Sequence, residues 1–228
     1  MPSQSQSLTS ISPLCAIVDA DVAARSGFTP PALARAYLAG GARFLQLRAK
    51  SAPGSLFLQW AEEMASDARA HQALLIVNDR FDIAWLAGVP AIHLGQDDLP
   101  VAIVRRAFGP EAIIGLSTHT PEQIADAIQQ PISYLAIGPV FGTATKDTGY
   151  QAVGLDRVRL AAGHGMPVVA IGGITLDHAK SVIDAGAASV AVISDLLATG
   201  NPEQRVREYL RVLAGAAEAR VTNHPGRA

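Results

Sequence analysis

Eight short apolar runs, most of them rich in β-branched residues, recur along the chain. They are LCAIVD (14–19), RFLQLR (43–48), ALLIVN (73–78), AIHLG (91–95), AIIGLS (112–117), YLAIG (134–138), PVVAIG (167–172) and SVAVIS (189–194). Each has the length and composition of a buried strand. Helix-like segments separate most of them. PPALARAYLAGG opens on prolines suited to a first helical turn and closes on glycines suited to a C-cap. SLFLQWAEEMASDARA, LPVAIVRRAFG, TPEQIADAIQQ and TLDHAKSVIDAG follow similar logic, and the last two each place a threonine where an N-cap is wanted. A chain that alternates strand and helix builds parallel β-α units. Eight such units predict an α/β fold, a (β/α)8 TIM barrel at the small end of the usual size range. The strand starts are unevenly spaced, so the repeat is structural rather than one of sequence. The competing architecture is an open doubly wound sheet. No G-x-G-x-x-G follows the first strand, which weakens its dinucleotide-binding version.

Composition narrows the partners. The 228 residues carry a net charge of -2, and 49% are hydrophobic. That suits one sizeable core, hence a single domain over residues 1–228 with loose ends at about 1–12 and 219–228. Near-neutral charge gives no footprint for nucleic acid, and no Lys/Arg-rich run suggests an anionic membrane surface. No apolar stretch approaches a membrane span, and the polar start MPSQSQSLTSIS does not read as a signal peptide. The single cysteine, Cys15, excludes an internal disulfide and sits in an apolar run as a buried thiol would. The expected location is the cytoplasm, and a homo-oligomer is compatible with the sequence.

In a barrel, chemistry gathers at the C-terminal ends of the strands, and polar residues gather there in this chain. In QLRAK, strand periodicity puts Gln46, Arg48 and Lys50 on one face, towards the mouth, and Leu47 and Ala49 on the other, towards the helices. Two buried cations need an anion nearby, either a ligand or acids from neighbouring strands. Asp79 ends strand three, and Asp97 and Asp98 follow strand four. Carboxylates on adjacent strand ends beside Arg48 and Lys50 fit a Mg2+-diphosphate site. One of Asp97 and Asp98 is expected to cap the helix that follows, and spacing does not say which. His93 and His119 lack any zinc-ligand spacing and read as structural histidines. Gly172 and Gly173 end strand seven and Ser194 ends strand eight, where barrels often bind phosphate. The loop after strand six, GPVFGTATKDTGY, brings Thr143, Thr145 and Lys146 to the same mouth; alone, that tripeptide would read as a solvated loop.

In combination, QLRAK, VNDR, HLGQDD, GLSTHT, GPVFGTATK and AIGGI, in this order and at these spacings, resemble the thiamine phosphate synthase family from about residue 14 to about residue 210. The resemblance implies a (β/α)8 barrel that uses Mg2+ to join a hydroxymethylpyrimidine diphosphate to a thiazole phosphate, releasing diphosphate. It implies that Gln46, Leu47, Arg48, Ala49, Lys50, Asn78, Ser117 and Lys146 bind the pyrimidine diphosphate. Arg48, Lys50, Ser117 and Lys146 are then the catalytic set. Asp79 and Asp98 would hold the metal, which leaves Asp97 to cap or to support. Thr143, Thr145, Gly173, Ile193 and Ser194 would hold the thiazole phosphate. Gly142 stands where the family usually has proline, which implies a looser loop, and VPAI precedes the site where the family reads ADGV, a difference for packing alone. Two other readings stay in view: a thiazole tautomerase, and a non-catalytic phosphate sensor on the same barrel. Retention of Arg48, Lys50, Asp79, Asp98 and Lys146 favours the synthase.

Overall fold

The computed structural model describes residues 11–143 and 149–222, with side chains through Ala214. The strands are β1 (Leu14–Asp19), β2 (Phe44–Arg48), β3 (Leu74–Asn78), β4 (Ala91–Leu94), β5 (Ile113–Thr118), β6 (Tyr134–Ile137), β7 (Val168–Ile171) and β8 (Ser189–Val192). They pair in chain order, all parallel, and β8 closes on β1 to complete the barrel. The expected (β/α)8 architecture is therefore the one observed. Closure leaves no open strand edge, and alternate residues point into the barrel or out to the helices.

Helices pack around the outside: α1 (Ala20–Arg25), α2 (Pro30–Ala39), α3 (Gly54–Ala70), α4 (Phe81–Leu86), α5 (Val101–Phe108), α6 (Pro121–Ala127), α7 (Gly154–Ala162), α8 (Leu176–Asp184) and α9 (Pro202–Thr222), with a 3-10 turn at Ser194–Leu197. The short α1 and α4 span too few turns to show a helical period. Thr29 caps α2 by accepting from the Ala32 N–H at 3.3 Å, and Thr120 caps α6 by accepting from the Gln123 N–H at 3.2 Å. Thr175 occupies the matching position before α8, but its hydroxyl lies 3.3 Å from His178 Nδ1 and caps no N–H. Before α5 the expected aspartate cap is absent: Pro100 fills that position, and no side chain caps the helix. Leu99 and Pro100 separate Asp98 from the first helical turn, and it turns back to its own loop instead.

The core lies mainly between the barrel's outer face and the helices. Leu45, Leu47, Val77, Ile92, Ile114, Leu135 and Val190 are fully or almost fully buried there with Leu33, Phe57, Met64, Val104 and Val182 from the helices. Among the described residues no helix is long and apolar enough to cross a membrane.

Candidate active site

The inward-facing residues at the C-terminal strand ends enclose a cavity of about 670 Å³. Gln46, Arg48 and Lys50 line it, as their shared strand face predicts. Leu47 and Ala49 do not. Their side chains are buried at 0% and 5% exposure in the core, so only their main chain can serve a ligand. Arg48 is not left waiting for an anion. Its Nη1 pairs with Asp19 Oδ2 at the end of β1, directly across the β1–β2 register. Asp19 is buried, and its other carboxylate oxygen caps α1 by accepting from the Val22 N–H at 3.0 Å. Sequence reasoning missed Asp19, although its position as the last residue of the first run was the available signal. Lys50 is more open, with Nζ 3.5 Å from Asp79 Oδ2.

The acidic side sits one and two strands further round. Asp79 adopts φ 63°, in the left-handed region that few non-glycine residues enter, and its N–H donates to the His93 carbonyl at 2.8 Å. That sharp turn ends β3 and puts the carboxylate at the mouth beside Lys50. Residues held in such conformations cluster at functional sites. Asp98 Oδ2 accepts from the Gly95 N–H at 2.6 Å, which closes the loop after β4 and aims the carboxylate back to the cavity. Asp97 also lines the cavity and is exposed. Asn78 lines the same wall and is buried at the end of β3. Among the described residues, no group of three or more His, Cys, Asp or Glu side chains is arranged to hold a metal.

The floor is built by residues from β4, β5 and β6. His93 lies with Nδ1 2.9 Å from the Tyr134 hydroxyl and Nε2 2.8 Å from Ser117 Oγ, so both ring nitrogens are satisfied, as expected for a structural histidine. His119 has Nδ1 2.5 Å from the Gly138 carbonyl and stacks on Tyr150 at 4.1 Å between centroids. The opposite wall carries Gly172, Gly173, Ile193 and Ser194, with Thr143 from the loop after β6. Gly172 and Gly173 have φ 100° and 64°, and a Cβ on either would come within 2.5 Å of the loop after β6. Backbone conformation and close approach thus demand both glycines whether or not phosphate binds. Behind Ser194, Asp195 accepts from the Tyr209 hydroxyl at 2.6 Å and pairs with Arg205 at 2.9 Å, tying this wall to α9. Burial and the hydrogen bond to Asp195 push the Tyr209 phenol well above its ordinary pKa, so it remains a donor. Thr145 and Lys146 lie outside the described residues.

One profile, for the family described as thiamine monophosphate synthase, matches residues 14–196. The chain belongs to this family. A thiamine-phosphate synthase from Koribacter versatilis is 45% identical over 208 residues, spanning 88% of this chain and 95% of that protein. One from Chlorobium phaeovibrioides is 41% identical over 194 residues, spanning 85% of this chain and 89% of that protein. Among solved structures, the thiamine phosphate pyrophosphorylase from Pyrococcus furiosus superposes with a TM-score of 0.81 at 27% identity, covering 90% of this chain and 97% of its own. The matched span in the family profile runs from the first strand to the 3-10 turn after the last, so it contains every wall of the mouth.

Proposed function

We propose that this protein is a thiamine phosphate synthase: it joins a hydroxymethylpyrimidine diphosphate to a thiazole phosphate, or its carboxylate, and releases diphosphate. The observation that carries this reading is a mouth with two unlike sides. Arg48, Lys50, Asp79 and Asp98 stand together at the ends of β2, β3 and β4, while Gly173, Ile193 and Ser194 stand across from them at β7 and β8. Two anionic substrates of different charge fit such a division. The family membership supports the same assignment.

Asp79 and Asp98 suit Mg2+. Two carboxylates are the protein's usual share, with phosphate oxygens and water filling the remaining positions. Both carboxylates supply the hard oxygen donors that Mg2+ takes. Bound there, Mg2+ would neutralise charge on the diphosphate oxygens and so ease their departure.

The chain's own residues do the rest. Arg48, Lys50 and Ser117 would hold the diphosphate, joined by Lys146 from the loop after β6. Asn78 and Gln46 would orient the pyrimidine side from the wall and floor. Thr143, Thr145, Gly173, Ile193 and Ser194 would hold the thiazole phosphate so that its ring nitrogen faces the carbon that loses diphosphate. In a dissociative reaction that C–O bond breaks first, its electron pair leaving with the diphosphate, and the pyrimidine-methyl cation is captured by the thiazole nitrogen. Little proton transfer is needed, so catalysis rests on holding the partners together and on stabilising the leaving group's charge. Both partners are small molecules, and the reading carries with it a cytoplasmic enzyme.

The test is a coupling assay with purified protein, pyrimidine diphosphate and thiazole phosphate, with and without Mg2+, reading thiamine phosphate. Mg2+-dependent product is expected. Exchange of thiazole carboxylate tautomers without coupling would reassign the site to an isomerase.

A further inference from the structure

The floor of the mouth holds a hydrogen-bonded chain that substrate binding alone does not explain. Tyr134 on β6 is buried, and its phenol crosses Gly115 on β5: a Cβ at that glycine would stand 2.0 Å from Cζ and 2.3 Å from the hydroxyl oxygen. Gly115 is the register partner of Tyr134 on one side and of His93 on the other. The missing side chain lets the phenol pass over β5 and reach β4, where its hydroxyl lies 2.9 Å from His93 Nδ1. His93 Nε2 in turn lies 2.8 Å from Ser117 Oγ. Tyr134, His93 and Ser117 thus form one chain that lines the cavity.

Such a chain can be satisfied in two senses. In the first, the phenol donates to Nδ1, and Nε2–H donates to Ser117 Oγ. The Ser117 proton is then left for the mouth. In the second, every donor is reversed: Nδ1–H donates to the phenol, Ser117 donates to Nε2, and serine lone pairs face the mouth. An anion in the mouth is compatible only with the first sense, because it needs donors. The geometry holds the chain in place: the His93 and Tyr134 rings stack at 5.7 Å with 22° between planes, and Phe44 meets Tyr134 edge-on at 6.1 Å. Burial raises the phenol pKa well above its ordinary value, so the link keeps its proton.

We infer that Tyr134 and His93 are positioning residues that hold the Ser117 hydroxyl as a hydrogen-bond donor to the diphosphate. This rests on the reading that the mouth takes a pyrimidine diphosphate. Gly115 is part of the device, since any side chain there would displace the phenol.

Two variants test it. Tyr134→Phe removes the hydroxyl and leaves the ring in place over Gly115. His93→Asn keeps an amide near the Nδ1 position but cannot reach Ser117. Each is made alone and with Ser117→Ala, and each is measured for coupling kinetics and for binding of magnesium diphosphate by calorimetry. Either single change should weaken diphosphate binding by about two- to tenfold, the worth of one net hydrogen bond. kcat should fall while KM for thiazole phosphate stays unchanged. In Ser117→Ala protein the further loss should vanish, because the chain acts through that hydroxyl. An equal loss without the serine, a matching rise in KM for thiazole phosphate, or unchanged diphosphate affinity in both variants would overturn the inference. Where Tyr134→Phe fails to fold, the His93→Asn series decides. Wild-type protein that binds diphosphate but makes no thiamine phosphate sinks the synthase reading, and the binding series still judges the chain. Wild-type protein that binds no diphosphate sinks both.

Discussion

Asp19→Asn separates stability from function at the cationic side of the mouth. Asp19 and Arg48 form an ion pair with side-chain exposures of only 4% and 15%. Removing one partner of a fully buried pair costs about 3–5 kcal/mol, chiefly because the other charge is left uncompensated. Arg48 opens on the cavity, where water can reach it, so the loss should fall to roughly 2–3 kcal/mol. The amide oxygen of Asn keeps the cap on the Val22 N–H, whereas Asp19→Ala loses that as well and should cost about 1 kcal/mol more. Urea unfolding reads both differences, with the slope unchanged if only stability has moved. The same titration with saturating magnesium diphosphate carries the sharper expectation. The ligand brings the negative charge that the variant lacks, so it should stabilise Asp19→Asn by more than it stabilises the wild type. A variant within about 0.5 kcal/mol of wild type, the range of an ordinary surface change, would show that the pair contributes nothing. Equal stabilisation by diphosphate in both proteins would show that Arg48 does not face the ligand.

Asp98→Ala should abolish turnover and leave thiazole phosphate binding intact by calorimetry, since Asp98 closes the loop after β4, across the mouth from the proposed thiazole phosphate cradle; full activity would sink the metal assignment. Lys146→Ala should lower kcat by about 10²–10³, the loss seen when one charge-stabilising donor is removed, with an unchanged melting temperature; an unchanged kcat would make the loop merely solvated. Ser194→Ala should change KM for thiazole phosphate only mildly in steady-state kinetics, because the backbone N–H remains, and a large loss would revise the cradle. Arg105→Ala should destabilise by about 2–3 kcal/mol in urea without touching kcat. Its guanidinium donates to the Pro131 carbonyl at 2.7 Å and the Pro110 carbonyl at 2.9 Å, beyond the opposite end of the barrel from the mouth.

Strand order and the polar strand ends were legible because both follow from short-range pattern. A run such as LCAIVD is apolar up to its final aspartate because both its faces are buried, and it coincides with β1 residue for residue. QLRAK needed only a period of two to point Gln46, Arg48 and Lys50 at the mouth. The weaker readings concern loops and caps, where local chemistry has more than one outlet. Thr175 had the right type and position for a cap and spent its hydroxyl on His178. Asp98 had the right type as well and closed on Gly95, because Pro100, not either aspartate, occupies the cap position before Val101. The helices α1 and α4 escaped because six residues are too few to display a period.

What lay out of reach depends on register between strands distant in sequence. Asp19 and Arg48 are 29 residues apart, His93 and Tyr134 are 41 apart, and neither separation has a periodicity to betray it. Register also alters what a residue means. Gly115 in AIIGLS reads as a weak point in a strand, yet β5 lies between His93 and Tyr134, and only a missing Cβ lets those two side chains meet. The same holds for Arg48, for which the sequence left open a ligand or an acid from a neighbouring strand; the β1–β2 register supplies the acid, Asp19. That pairing is compatible with the proposed anion site. It explains how a guanidinium can wait in a largely apolar barrel before substrate arrives, its charge compensated from one side and its remaining donors open to the mouth.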